Sequence, residues 1–324
     1  MCKVLITGGA GFIGYHLAKF LSDKRIYEIH IVDSLSRGEI DSDFKKLINN
    51  NNIKFKKADL TNSKSYKLLS DDYDYIYHLS AIVGVKNTIE NPDRVLYVNI
   101  VSTLNLINWI NGTQANLKKF LFASTSEIYA GTMKHYGIPV PTDEKVVLCL
   151  EDISSPRTTY SLSKIVGESA CLNYFKKYRV PVTIVRYHNI YGPRMGYDHV
   201  IPELMLKAKN SKDYLEVYSG SHTRAFCYII DSIEATVNLA ESEDSLGQIF
   251  NVGNSDEEIT ITELAGKIIK VVNPSLKVKP LSDQVGSPLR RCPNIDKLRN
   301  TIRFYPKVFL DEGIRLTWEW YKRH

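Results

Sequence analysis

Tyr160 and Lys164 are spaced so that, on a helix, the lysine ammonium lies one turn after the tyrosine phenol. A cation there stabilises the phenolate and lowers the pKa of the phenol, which makes it a usable base near neutral pH. The spacing has little weight alone, because the chain contains 20 tyrosines and repeats it at Tyr15 and Lys19. Tyr160 is distinguished by the hydroxyl of Thr125, which ends an apolar run where parallel sheets bind ligands. The pattern predicts a base at Tyr160.

Three glycines, Gly8, Gly11 and Gly14, follow an apolar run and precede a helical pattern. At this spacing glycine lets the chain turn tightly and lets backbone N–H groups and a helix N-terminus approach a pyrophosphate. A second apolar run ends at Asp33, whose carboxylate can accept both ribose hydroxyls of an adenosine and repels a 2′-phosphate. Arg37 favours a phosphorylated ribose, so NADP stays open, while Asp33 makes NAD the preferred cofactor.

Short apolar runs alternate with helical patterns in the first half of the chain. The runs that read as buried strands are 3–6, 29–32, 53–55, 75–79, 120–123 and 182–185. The segments with helical periodicity are 12–23, 63–70, 94–110 and 160–178. This alternation predicts an α/β fold, a parallel sheet covered by helices on both faces.

After Arg186 the elements become shorter and more irregular. A capping box at Thr260 and Glu263 predicts a helix through Val271, and 310–321 reads as the last helix. At roughly 150 residues per domain, 324 residues indicate about two domains. We expect a cofactor domain over 1–185, to whose sheet the chain returns at 247–253, and a smaller, discontinuous substrate-binding part over 186–324.

The composition, 44% hydrophobic and 24% charged, excludes a wholly disordered chain. The net charge of +6 comes from scattered basic pairs, so no nucleic-acid partner is predicted. Five widely spaced cysteines without a CxxC pair indicate a reducing, cytoplasmic environment, and the histidine spacings indicate no metal site. No signal peptide is expected, and the longest uncharged stretch, 95–117, is too polar for a membrane span.

Taken together, these residues resemble the extended short-chain dehydrogenase/reductase family, the NAD-dependent nucleotide-sugar epimerases, dehydratases and decarboxylases. The motifs occur in family order over nearly the whole chain: TGGAGFIG at 7–14, HLSA at 78–81, Asn99, STSEIY at 124–129, YSLSK at 160–164, RYHNIYGPRM at 186–195, TRAF at 223–226 and RRCP at 290–293. The resemblance implies a doubly wound Rossmann sheet with a smaller mixed α/β domain, NAD, a nucleotide-diphosphate sugar substrate and a homodimer formed through helices 94–110 and 160–178.

The resemblance also implies roles for individual residues. The implied catalytic residues are Thr125, Ser126, Glu127, Tyr160 and Lys164. The implied NAD-binding residues are Gly8, Gly11, Phe12, Ile13, Gly14, Asp33, Asp59, Leu60, Leu79, Ala81, Asn99, Tyr160, Lys164 and Tyr187. The implied contacts to the substrate nucleotide diphosphate are Asn189, Arg224 and Arg291. Guanidinium groups suit phosphate oxygens for their planar, forked geometry.

The resemblance implies a first step common to the family, in which Tyr160 would take the proton of the sugar C4 hydroxyl and a 4-ketone would form. The triplet Thr125-Ser126-Glu127 is similar to that of UDP-glucuronate decarboxylases, and Ser126 stands where 4,6-dehydratases usually carry Asp. Decarboxylation is therefore the leading prediction, a 4-epimerase is the alternative and a dehydratase comes third. A catalytically silent dinucleotide sensor is the alternative from another class, which retention of Tyr160 and Lys164 disfavours.

Several positions depart from the decarboxylase pattern. Ala130 replaces a usual glycine, and the stretch 129–160 is a few residues longer and contains 133–141, which is expected to reshape the sugar pocket. His188 and the stretch 197–200 are also atypical.

Overall fold

The strand–helix alternation forms a seven-stranded sheet in the computed structural model, which describes residues 1–36, 40–283 and 288–324. Arg37, which would favour a phosphorylated ribose, lies outside the described residues. The strands are β1 Cys2–Thr7, β2 Tyr27–Asp33, β3 Ile53–Lys57, β4 Tyr75–His78, β5 Lys119–Thr125, β6 Val182–Tyr187, β7 Ile190–Tyr191, β8 Tyr214–Val217, β9 Thr223–Ala225, β10 Cys227–Tyr228, β11 Ile249–Val252, β12 Glu258–Thr260, β13 Lys277–Pro280 and β14 Arg290–Arg291.

The predicted α-helices either have the predicted bounds or extend them by a few residues, and several further helices are present. They are α1 Phe12–Asp23, α2 Ser42–Ile48, α3 Val85–Glu90, α4 Pro92–Thr113, α5 Ala130–Tyr136, α6 Thr158–Tyr178, α7 Val200–Asn210, α8 Ile229–Glu241, α9 Ile261–Val272, α10 Asp296–Ile302 and α11 Leu310–Tyr321. The capping box predicted for α9 is confirmed, since Thr260 and Glu263 cap each other's backbone N–H groups. The helix predicted over 63–70 is a 3₁₀ helix, Ser63–Leu68, which Asn62 caps.

The strand order of the large sheet is β11-β6-β5-β4-β1-β2-β3. Strand β1 pairs in parallel with both β2 and β4, so the order reverses beside β1. Ligands of doubly wound sheets bind outside the carboxyl ends of the strands at such a reversal. At this reversal β1 ends at Thr7 and β4 ends at His78.

Helices cover the sheet where its strands are apolar on both faces. All seven residues of β5 are buried, as expected for a parallel strand between two layers of helices. Phe120 and Phe122 of β5 belong to a buried cluster that also contains Leu106 and Ile107 of α4 and Ile184 of β6. This cluster fixes α4, β5 and β6 relative to one another.

The chain divides into two compact units, each built from three segments. The first consists of Met1–Ile128, Leu150–Arg186 and Ile233–Phe250, and the second of Tyr129–Cys149, Tyr187–Ser232 and Asn251–His324. Segment Tyr129–Cys149, which the sequence analysis included in the first domain, groups with the second unit. Asn251 of that unit holds the segment, since its side chain bonds the Tyr129 hydroxyl at 2.9 Å and the Thr142 carbonyl at 2.9 Å.

The second unit contains small sheets instead of a large one. Their orders are β12-β9-β14, β10-β7 and β13-β8. Across both units, none of the described helices has the length and apolar character needed to cross a bilayer. Within the described ranges, no three His, Cys, Asp or Glu side chains are grouped as a metal site requires.

Candidate active site

The glycine loop between β1 and α1 has space for backbone alone. Gly8 has a φ of +73°, and a Cβ there would lie 2.7 Å from the Ser80 backbone nitrogen. A Cβ on Gly14 would lie 2.3 Å from the Gly8 carbonyl oxygen, so α1 approaches the loop as closely as glycine permits. Gly11 caps α1 without a side chain, and the first turn, with Phe12 and Ile13, has no acidic residue. This cradle fits an anionic pyrophosphate.

Asp33, at the end of β2, holds the glycine loop through its side chain. One carboxylate oxygen accepts the Ala10 N–H at 3.0 Å, and the other accepts the Leu35 N–H at 2.8 Å. The carboxylate thus lies beside the loop, where a bound dinucleotide would place its adenosine ribose. Its role toward the ribose stays a prediction.

Asp59 and Leu60 follow β3 next to Asp33, because the Ala58 N–H donates to the Asp33 carbonyl at 3.0 Å. Asp59 is exposed and Leu60 is buried. Leu79 and Ala81 follow β4 and are half-buried. These residues lie at the carboxyl ends of β3 and β4, the same edge as the glycine loop.

Thr125, Ser126 and Glu127 lie at the carboxyl end of β5 and in the 3₁₀ turn that follows it. Thr125 and Ser126 are buried, and Glu127 is half-buried. The Thr125 hydroxyl accepts the Glu127 N–H at 3.2 Å, which fixes the start of the turn. The predicted catalytic triplet is therefore a local unit of β5.

Lys164 connects α6 to the end of β5. Its ammonium donates to the Ala123 carbonyl at 2.7 Å and lies 5.0 Å from the centre of the Phe122 ring. Burial lowers the pKa of Lys164 to about 8, against opposing contributions from Cys171 and Glu168. Tyr160 lies one turn earlier on α6 and is half-buried. The structure thus brings Lys164 to β5, the strand that carries Thr125, and Tyr160 lies one helical turn from Lys164.

Gly167 allows that approach, a role the sequence analysis missed. A Cβ on Gly167 would lie 2.3 Å from Cζ of Phe122, so any larger residue would push α6 away from β5. The signal was available, because glycine inside a helix costs up to about 1 kcal/mol and requires a packing reason.

Glu168 and Arg186 form a second missed contact between α6 and the sheet. The Arg186 guanidinium pairs with the Glu168 carboxylate through two bonds of 2.9 and 2.6 Å, and both side chains are buried. A bidentate pair of this kind fixes orientation as well as distance. It holds α6 against the end of β6.

The predicted substrate residues belong to the second unit. Asn189 donates its side-chain N–H to the Ala225 carbonyl at 3.0 Å, which joins the segment after β6 to β9. Arg224 and Arg291 are register partners on the parallel strands β9 and β14, so their side chains lie on the same face of that sheet. Tyr187, predicted to bind NAD, is buried at the end of β6.

Asn251 and His188 form a polar cluster that the sequence analysis did not predict. The Asn251 side-chain oxygen accepts bonds from the Tyr129 hydroxyl and from Nε2 of His188, each at 2.9 Å. Its backbone N–H donates to Glu144 at 2.8 Å. The atypical His188 and the long segment after Tyr129 are thus linked through one buried amide.

A family model described as the NAD dependent epimerase/dehydratase family matches residues 4–253. The UDP-N-acetyl-alpha-D-glucosaminuronate decarboxylase of Bacillus cytotoxicus is 34% identical over 329 residues, covering 99% of this chain and 98% of the relative. UDP-glucuronic acid decarboxylase 5 of Arabidopsis thaliana is 31% identical, covering 97% of this chain and 87% of the relative. The crystal structure of UDP-glucuronic acid 4-epimerase from Bacillus cereus in complex with NAD has a TM-score of 0.85 at 28% identity and 99% coverage of both chains.

The matched range includes the glycine cradle at the end of β1 and the Tyr160–Lys164 pair on α6. The family model and the NAD-bound neighbour confirm the predicted Rossmann-type α/β fold and NAD as the cofactor. The chain is an enzyme of the NAD dependent epimerase/dehydratase family.

Proposed function

We propose that this enzyme decarboxylates a UDP-hexuronate through a 4-keto intermediate. The observation that carries the proposal is the position of Glu127, a half-buried residue at the end of β5. Its backbone N–H donates to the Thr125 hydroxyl. Simple rotation and return of a 4-ketone needs no carboxylate there. The two decarboxylase relatives, aligned over nearly the whole chain, support the same reaction.

The first step is oxidation at the C4 carbon of the sugar. Thr125 orients the C4 hydroxyl, and Tyr160 takes its proton. Lys164 supplies the positive charge that stabilises the resulting phenolate and holds the nicotinamide ribose. When bound in the glycine cradle, NAD⁺ serves as the two-electron acceptor for this oxidation.

The second step follows from the chemistry of the ketone. A ketone at C4 makes the C5 carboxylate a β-keto acid, which loses CO₂ and leaves an enolate. Glu127, on the turn after Thr125, takes up a proton from solvent and delivers it to C5. The hydrogen and two electrons removed in the first step then return to C4, and Tyr160 returns its proton to the C4 oxygen. The products are CO₂ and a UDP-pentose, and the cofactor ends in its starting oxidation state.

Arg224 and Arg291 are proposed to hold the substrate diphosphate, with Asn189 beside them. Two guanidinium groups on one face of a sheet suit a group with two negative phosphates. The base and the sugar, UDP with glucuronate or N-acetylglucosaminuronate, come from the activities named for the two decarboxylases.

A 4-epimerase is the second candidate, favoured by the fold match to UDP-glucuronic acid 4-epimerase. It would share the first step with the decarboxylase and return hydrogen to the opposite face of C4. Dehydration comes third, because Ser126 stands where the expected acid would be.

Product analysis separates these reactions. Purified enzyme with NAD⁺ is incubated in turn with UDP-glucuronate, UDP-N-acetylglucosaminuronate and UDP-glucose, and the products are identified by mass spectrometry and NMR. We expect a uronate to lose the mass of CO₂ and UDP-glucose to stay unchanged. A six-carbon 4-epimer as the product would overturn decarboxylation in favour of the second candidate.

We propose further that two copies associate through α4 and α6. The outward residues Ile100, Val101 and Leu104 of α4 and Ile165 and Val166 of α6 are half-buried in the single chain. Apolar residues in that state are typical of surfaces that a second protein covers. Light scattering should give a dimer for the wild type and a monomer for Leu104→Arg, and a monomeric wild type would contradict the proposal.

We also propose a role for each of the two domains and a cytoplasmic location for the protein. The cofactor domain over 1–185, with the return at 247–253, and the substrate part over 186–324 stay predictions. Limited proteolysis with and without NAD⁺ would test them, since cofactor should protect the first domain. The five cysteines are free thiols, which supports a reducing compartment such as the cytoplasm.

A further inference from the structure

A chain of side-chain hydrogen bonds runs through the first unit from β1 to α6. The Thr7 hydroxyl lies 2.7 Å from Nδ1 of His78, and Nε2 of His78 lies 3.0 Å from the Thr103 hydroxyl. Thr103 is on α4 and donates to the Asn99 carbonyl at 2.7 Å. The Asn99 side chain donates to the Ser163 hydroxyl at 3.2 Å, and Ser163 donates to the Tyr160 carbonyl at 2.7 Å.

The donor and the acceptor can be assigned for each hydrogen bond in this chain. Because Thr103 gives its proton to Asn99, it must accept from Nε2–H of His78. Nδ1 of His78 therefore carries no proton and accepts from the Thr7 hydroxyl. At the other end Asn99 also bonds the Ile82 backbone, through its oxygen at 2.7 Å and its nitrogen at 3.1 Å. The side chain of Asn99 is thus fixed on three sides.

The chain is buried along its whole length. Thr7, His78, Thr103, Asn99 and Ser163 are all less than 4% exposed. The His78 ring packs near Phe120 and Phe122 of β5, with ring centres 6.2 and 5.9 Å away. Burial, together with the charge of Lys164, lowers the pKa of His78 to about 3, so the ring stays neutral at physiological pH.

The two ends of the chain are the two parts of the oxidation site. Thr7 immediately precedes Gly8 of the glycine cradle, and Ser163 lies between Tyr160 and Lys164 on α6. We propose that His78 and Thr103 are positioning residues that set the catalytic turn of α6 relative to the cofactor loop. The proposal rests on the proposed oxidation at C4, which the decarboxylase and the epimerase share.

The reason is geometric. In the oxidation the proton of the C4 hydroxyl leaves toward Tyr160, while the hydrogen on C4 leaves with two electrons toward the cofactor. The distance and angle between the base and the cofactor must therefore be fixed. A misplacement of about 1 Å can cost about 100-fold in rate. Lys164 fixes α6 to β5, and Arg186 fixes it to the end of β6. The His78 chain adds the connection to β1 and β4.

Thr103→Val is the first test, with Thr317→Val as its matched control. Both threonines are buried in a helix and donate to the carbonyl four residues earlier, at 2.7 Å for Thr103 and 2.6 Å for Thr317. Only Thr103 of this pair bonds His78. We expect Thr103→Val to lower kcat about 10- to 100-fold with the KM for the nucleotide sugar within about 2-fold. Thr317→Val should leave both unchanged, and Thr103→Ser, which keeps the hydroxyl, should restore kcat.

A double-mutant cycle tests the continuity of the chain. His78→Phe keeps a ring against the two phenylalanines, and Ser163→Ala removes the bond to Tyr160; the two residues share no direct bond among the described contacts. We expect their effects on kcat to be non-additive by at least about 3-fold. Additive effects, or equal effects of Thr103→Val and Thr317→Val on kcat, would overturn the proposal.

An NMR measurement keeps this test separate from the proposed reaction. In ¹⁵N spectra the wild type should show His78 protonated at Nε2 and unprotonated at Nδ1, without titration between about pH 5 and 8. Ser163→Ala should shift the His78 nitrogen signals, and Thr317→Val should not. If the wild type turns over no nucleotide sugar, the proposed function fails, and these shifts still decide the hydrogen-bond chain. A His78 protonated at Nδ1, or one insensitive to Ser163→Ala, would contradict it.

Discussion

Arg224 on β9 and Arg291 on β14 are direct register partners in a parallel pair of strands. Their guanidinium groups therefore extend from the same face of the sheet at neighbouring positions. Like charges at such positions destabilise a sheet, and an anion bound by both removes the repulsion. Their neighbour Arg290 lies on the other face, where it forms a bidentate pair with Glu258 at 2.7 Å. The alternation separates a structural arginine from the two proposed ligand-binding arginines.

Replacing either of the two arginines should weaken substrate binding. We expect Arg224→Ala and Arg291→Ala to raise the KM for the UDP-sugar about 10- to 100-fold, since each removes a charge-assisted bond worth about 1.5–3 kcal/mol. Arg290→Ala is the matched control, because its exposed ion pair is worth at most about 1 kcal/mol of stability. Steady-state kinetics and UDP titration calorimetry measure the effects. Equal changes of KM in all three variants would refute the assignment.

Lys164 is expected to reduce stability at neutral pH. Burial lowers its pKa from 10.5 to about 8. At neutral pH, where the buried ammonium is charged, this shift lowers the free energy of unfolding by about 3 kcal/mol. Lys164→Met removes this cost and also the bond to Ala123, worth about 1 kcal/mol. Denaturant unfolding at pH 7 should therefore show the variant about 2 kcal/mol more stable than the wild type, and inactive.

The pH dependence has a definite sign. Between about pH 8 and 10.5 the folded wild type has released the Lys164 proton while the unfolded chain retains it, so wild-type stability rises with pH in this window relative to Lys164→Met. The advantage of the variant should shrink and then reverse. Wild-type kcat/KM should fall above about pH 8, because the Lys164 cation proposed to stabilise the Tyr160 phenolate is lost. A constant stability difference from pH 7 to 10.5 would show that the buried ammonium carries no such cost.

Gly167 should be sensitive to a single methyl group. Gly167→Ala places a Cβ 2.3 Å from Phe122 and should cost about 1–3 kcal/mol of stability, because the helix must move from β5. Gly266→Ala in α9 is the control, since nothing lies within 4 Å of its Cβ position, and it should stabilise by up to about 1 kcal/mol. Thermal and denaturant unfolding measure both. Two variants of equal stability would contradict the close packing of α6.

Glu127→Gln should separate the two steps of the reaction. The variant keeps the backbone bond to Thr125, so oxidation at C4 should proceed and absorbance at 340 nm should appear. Formation of the UDP-pentose should fall about 100-fold or more, because the proton donor to C5 is lost after CO₂ has left. Stopped-flow absorbance and product analysis follow the two steps. Undiminished UDP-pentose formation would remove Glu127 from the mechanism.

Much of the fold was predictable because its strands and helices carry their own signals. The apolar runs of β1 and β5 are short and bounded by polar residues, and the last helix, Leu310–Tyr321, begins and ends as predicted. The grouping of Tyr129–Cys149 with the second unit was not predictable. It depends on bonds from Asn251, more than 100 positions away in the sequence, and such pairing leaves no local pattern.

The candidate site was predictable where function requires a residue type. Glycine in the loop, the Tyr160–Lys164 spacing and the arginines are motifs with a chemical reason. Contacts that support the site are different, because Ser163 or Thr103 could be any small polar residue until the neighbouring helix is known. His78 belonged to a recognised motif, yet its two partners became visible only with α4 packed beside β4.

The central claim is that C6 of a UDP-hexuronate leaves as CO₂. The most direct test is a ¹³C NMR time course of purified enzyme, NAD⁺ and UDP-glucuronate labelled at C6, repeated with UDP-N-acetylglucosaminuronate. We expect the label of one of these uronates to move into CO₂ and bicarbonate while an unlabelled UDP-pentose accumulates. Label retained in both six-carbon sugars, whether unchanged or epimerised at C4, would contradict it.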